Sequence, residues 1–77
     1  MQYATGDNVS IGDRVSCDGE PALVEDVIES GDEMVRWGLS EQGVMLRSQK
    51  LGLFFQAQSQ TAWHEVVVQQ KAPERNK

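Results

Sequence analysis

The 77-residue chain predicts an all-β fold, a small antiparallel barrel of five to six short strands. Three observations point there. Seven glycines are dispersed along the chain, so turn signals recur at short intervals. The apolar residues between them mostly alternate with polar ones or come in β-branched groups such as Val66-Val67-Val68. No stretch carries the apolar repeat of a ten-residue amphipathic helix. The length allows one domain, which should bury only a little over ~60% of its unfolded surface and be modestly stable.

The elements can be justified in order. Tyr3-Ala4 and Val9-Ser10-Ile11 flank Thr5-Gly6-Asp7-Asn8, a hairpin-like turn. Gly12-Asp13 makes a second turn, and Arg14–Cys17 alternates with Val15 on one face. Asp18–Pro21 reads as a loop, because Pro21 has no N–H to give a ladder. Ala22–Glu29 reads as a longer strand whose doublets, Leu23-Val24 and Val27-Ile28, break the alternation. A bulge or bend near Glu25-Asp26 would reconcile them. Ser30–Glu33 reads as a tight turn before a strand over Met34–Leu39, with Val35, Trp37 and Leu39 on one face. That face assigns Trp37 to the core. Val44–Arg47 and Leu53–Gln56 are the next strands, and the polar Gln56–Thr61 is a loop or one helical turn. The β-branched run makes Trp63–Gln70 a strand. Its Glu65–Gln70 part should close the barrel against Arg14–Cys17 or against the strand beginning at Ala22. Residues 1–70 then form the domain, and the charged Lys71–Lys77, interrupted by Pro73, is expected to be a disordered tail.

Charge narrows the function. The tail holds three basic residues and one acidic, whereas residues 1–70 hold four basic and eleven acidic, a charge of −7. Nucleic-acid binding needs Lys and Arg to displace counterions, so a DNA or RNA partner is not expected. Asp18–Glu33 carries seven carboxylates and no Lys or Arg. Such a stretch either keeps a strand face solvated or docks a basic partner surface. No apolar run has membrane-spanning length, and the N-terminus lacks the pattern of a secretory signal, so no membrane partner and a cytoplasmic location are expected.

Catalytic constellations are not legible. The single histidine, His64, adjoins Glu65, but strand neighbours point to opposite faces. The single cysteine, Cys17, has Asp18 and Glu20 nearby, which would raise its pKa. One Cys and one His do not build a four-ligand zinc site, and no glycine pattern cradles a phosphate. No catalytic residue, metal or cofactor is therefore expected. The aromatics say more. Phe54 and Phe55 are strand neighbours, so one must find cover off the core. Trp63, in a polar context, reads as an exposed anchor. Trp63, Phe54, Glu25, Asp26 and Glu29 are the expected partner-binding residues.

The pattern Tyr3-x-x-Gly6, Ile11-Gly12-Asp13-Arg14-Val15, Trp37-Gly38, Glu41-x-Gly43-Val44-Met45-Leu46 and Gly52-Leu53 resembles SH3-like small barrels, which include the Tudor and KOW groups. More narrowly, it is similar to a group of short, mostly uncharacterised bacterial proteins. The resemblance covers roughly residues 3–55 and rests on turn and core positions, so it implies a fold and not an activity. Gly12–Val15 also resembles a segment of the type II dihydrofolate reductases, which implies a tetramer with one active site in a central pore. That pore is lined by Val-Gln-Ile-Tyr and a lysine. Neither Gly43–Ser48 nor Leu53–Gln56 supplies the Gln-Ile-Tyr triplet, and an acidic chain lacks the positive potential that two anionic ligands need. The expectation is a non-catalytic interaction module, such as an acidic bacterial adaptor, inhibitor or immunity-type protein with a basic partner. A homodimer of barrels and the pore-type reductase are the alternatives.

Overall fold

Two residues with positive φ, Asp18 at 51° and Gly19 at 84°, reverse the chain between its first two strands. Asp-Gly is the pair that a two-residue hairpin loop of this twist prefers. From this turn the fold unrolls as a meander. The structure, a computed structural model, describes residues 1–73. Its strands are β1 Arg14–Cys17, β2 Glu20–Ile28, β3 Gly43–Ser48, β4 Gly52–Ala57 and β5 Val66–Gln70. They form one antiparallel sheet in the order β4-β3-β2-β1-β5, so the last strand returns to the first as expected. The class is all-β. The cylinder is not closed by hydrogen bonds: among the described residues no ladder joins β4 to β5. A 3-10 helix, Thr61–Glu65, lies against both strands instead.

The bulge is where the apolar doublets require it. Val24 pairs with Leu46 and Asp26 with Met45, leaving Glu25 unpaired against β3. That one extra residue lets Val24 and Val27 both reach the core. β2 starts earlier than expected and includes Pro21, opposite Ser16. β3 joins β2 only from Leu23 onward, so the proline sits where one flank of the strand is unpaired. The core gathers Val15, Ala22, Val24, Val44, Leu46 and Val66, with Tyr3 and Trp63 at its edge.

The largest correction falls on Ser30–Leu39. The expected turn and strand are a seven-residue helix, α1 Gly31–Trp37. Ser30 Oγ accepts from the Glu33 N–H at 3.2 Å, and Glu33 Oε1 accepts from the Ser30 N–H at 3.1 Å. This reciprocal capping box, acidic residues in the first turn and Gly38 in the left-handed region at the C-terminus outweigh the alternation of Val35, Trp37 and Leu39. Trp37 is consequently not core; it is 37% exposed.

Residues from before β1 and after β5 meet at Asp13, which is 0% exposed. Its carboxylate accepts from the Tyr3 hydroxyl at 2.6 Å, the Ser10 N–H at 3.0 Å, Lys71 Nζ at 2.8 Å and the Ala72 N–H at 2.7 Å. Burial alone would raise this carboxyl. The hydrogen bonds from Lys71, Tyr3, Ala72 and Ser10 outweigh it and hold the group below its ordinary value. Lys71 and Ala72 are therefore pinned to the domain, contrary to the expected tail; the rest of that expectation, residues 74–77, lies outside the described residues.

One glycine is required by space. A Cβ on Gly43 would lie 2.8 Å from the Phe55 ring and closer still to the Gln56 carbonyl oxygen. Gly43→Ala should therefore destabilise the domain by about 1–3 kcal/mol, read from urea unfolding, although alanine is otherwise the better strand residue.

Candidate interaction surface

The acidic segment is spread over β2, the turn after it and α1, and each carboxylate expected to face a partner has work within the chain. Glu25, on the bulge, receives Arg47 Nε at 2.8 Å. Both side chains are partly exposed, so the pair is worth about 0–1 kcal/mol. Asp26 receives the Trp37 indole N–H at 2.9 Å and, through its other oxygen, its neighbour Val27's N–H at 2.9 Å. Glu29 receives the Met1 amine at 2.8 Å and remains half exposed.

These contacts explain how α1 is held. A helix of seven residues is marginal alone. The capping box starts it and Gly38, whose N–H bonds the Met34 and Val35 carbonyls, ends it. The Trp37–Asp26 bond ties its last turn to β2. The register places Asp26, Met45 and Phe55 in one row across β2, β3 and β4, on the face opposite the core. Yet no residue of α1 is buried, and Val35 is 82% exposed. The helix thus presents an apolar side chain on a short, well-fastened projection. Asp32, one turn before Val35, shares its side of the helix; Arg36 follows Val35 in sequence, and Glu33 and Trp37 lie on the other side, toward Ser30 and Asp26.

The expected aromatic anchors divide differently. Trp63 is buried at 5% exposure, which corrects its expected role as an exposed anchor. It stacks on Tyr3 with ring centroids 6.2 Å apart and an interplanar angle of 14°, and its N–H donates to the Gln2 carbonyl at 3.2 Å. The polar residues around it in sequence belong to an exposed 3-10 turn, whose one inward position it occupies. Phe54 is half-buried and packs on the core, while Phe55 covers Gly43 on the other face. Both rings thus find cover inside the chain.

The titratable groups considered for chemistry stay apart in role. His64 is exposed on the 3-10 turn, not on a strand. Cys17 is half-buried, and burial, then Asp18, then Glu65, push its thiol up, away from the reactive thiolate. Among the described residues no three His, Cys, Asp or Glu side chains converge on a possible ion site, and no helix is long and apolar enough to cross a membrane. Neither the exposure of Val35 nor a helix start at Ser30–Glu33 follows from the two-residue apolar period of this segment. The Ser-x-x-Glu spacing was the available signal for the second.

The Ser30 N–H, then the Glu29 N–H, hold the Glu33 carboxyl below its ordinary value. A depressed carboxylate contributes above its unfolded value and loses that contribution as pH falls through the folded one. Ser30→Ala should cost α1 about 1 kcal/mol, raising hydrogen exchange at Met34, Gly38 and Leu39 roughly fivefold without changing the β3 amides. Equal acceleration in β3 would mean that the helix and sheet open together. In comparisons with protein families, curated proteins and solved structures, no family model, curated protein or solved structure matches this chain.

Proposed function

We propose that the protein is a non-catalytic interaction module whose binding element is the projection formed by α1. The observation that carries this reading is that several separate devices order a helix that fully buries none of its own residues, Glu33 and Met34 being only half-buried. A capping box, a left-handed C-terminal glycine and an indole–carboxylate bond hold Val35 in the open. Local order with so little burial stabilises the domain little, so its use lies in preorganising a contact. The surroundings give the partner's character. An exposed apolar side chain on a helix that follows Glu29 and carries Asp32 and Glu33 in its first turn suits a protein surface with a small apolar pocket and a basic rim. Glu25 and Phe54 contribute from within the chain, by fixing Arg47 and by filling the core edge, and Trp63 contributes to stability alone.

Immobilised wild-type protein and the Val35→Arg variant, exposed to the same host lysate, test the reading. Wild type should retain at least one protein that Val35→Arg loses, and charge reversal at Glu29 and Asp32 should make its retention weaker and less salt-dependent. Identical retained sets on both columns, with both proteins folded, would overturn it. A difference that survives 1 M salt unchanged would remove the basic rim from the partner's description.

A further inference from the structure

A groove of about 520 Å³ opens beside β1, β2 and β3; core residues Val15 and Ala22 reach it, and its Arg14, Leu23 and Arg47 lie on the face of the sheet opposite them. Its centre is a single row across three strands: Arg14 of β1 pairs with Leu23 of β2, which pairs with Arg47 of β3. Adjacent strands lie about 4.8 Å apart, so the two arginines flank Leu23 with their backbones about 10 Å apart. Pro21, Gln49 and Gln69 also line it. Residues 1–70 hold four basic side chains, and two of them meet here on a body that is otherwise acidic.

We infer that this groove binds a small amphipathic carboxylate, a monoanion with an apolar body. The apolar part would lie over Leu23 and Pro21, and the acid group would sit between the guanidiniums of Arg14 and Arg47. Glu25 holds Arg47 by its Nε at 2.8 Å, which orients the guanidinium and leaves its outer N–H groups free of that bond. The volume falls in the range of small-molecule sites. Glu20 also lines the groove, so a second negative charge on the ligand would meet repulsion. The −7 charge of residues 1–70 opposes polyanions at long range for the same reason. This site is separate from the α1 projection and does not rest on the function proposed for it.

Titration of the full chain with 1-naphthoate, and separately with the neutral isostere 1-naphthamide, followed by amide NMR, tests the site. Naphthoate should shift the amides of Arg14, Leu23, Arg47 and Gln69 in a saturable way and bind at least about tenfold more tightly than naphthamide. The paired substitution Arg14→Gln with Arg47→Gln should remove that preference. Because these side chains are exposed, the variant should keep the wild-type spectrum elsewhere. Should it not fold, the wild-type salt dependence decides, since naphthoate binding must weaken with salt and naphthamide binding must not. Shifts centred on α1, equal affinity for the two probes, or no saturable binding would overturn the proposal.

Discussion

A buried carboxylate ties the segment before β1 to the segment after β5. Asp13 is fully enclosed, and a charge in that position is tolerable only if its oxygens are satisfied. They are satisfied by the Tyr3 hydroxyl and the Ser10 N–H, from before β1, and by Lys71 and the Ala72 N–H, from after β5. Lys71 also lies 5.7 Å from the Tyr3 ring centroid, and Tyr3 stacks on Trp63. One carboxylate therefore fixes the N-terminal hairpin, the aromatic pair at the core's edge and the exit of β5. Breaking such a buried arrangement by removing one partner costs roughly 3–5 kcal/mol, comparable with the whole stability of a small domain.

The rest of the molecule divides along its sheet. The inner face is apolar and holds shape. The outer face carries charged side chains beside a second apolar patch on which Ile28, Met45 and Ala57 are buried, and it is there that the bulge at Glu25 re-aims β2. The bulge has two consequences. It turns Glu25 toward Arg47, which shapes the groove, and it presents Asp26 to Trp37, which anchors α1. A single inserted residue thus links the core register to both outward-facing features, and neither requires a buried polar group without a partner.

The strands were legible because their cause is local. Period-two alternation over Arg14–Cys17, the doublets around Glu25-Asp26 and the β-branched run at Val66 each report a strand or its bulge directly. The pairing of the last strand with the first followed from the need to protect an edge. Helix α1 was misread because Val35, Trp37 and Leu39 satisfy a two-residue period, and only the end signals, Ser30 with Glu33 and Gly38, show that another geometry wins. Trp63 was misread because its polar neighbours describe the turn and not the pocket it fills. Asp13 looked like a turn residue, as an Asp after Gly usually is. Its partners Tyr3 and Lys71 are ten and fifty-eight positions away, so nothing in the local pattern announces the network.

The central claim is that Asp13 remains charged in the folded protein because its hydrogen bonds overcome its burial. Titration of its side-chain carboxyl carbon by NMR, alongside urea unfolding at each pH, measures this directly. A depressed folded value means that the group's stabilising effect is fully present above its ordinary value of 3.8 and is lost as pH falls through the folded one. The account predicts an Asp13 midpoint below 3.8, with the stability of the whole domain declining over the same acid range. A midpoint above 3.8, as burial alone would produce, or a stability indifferent to that titration, would contradict it.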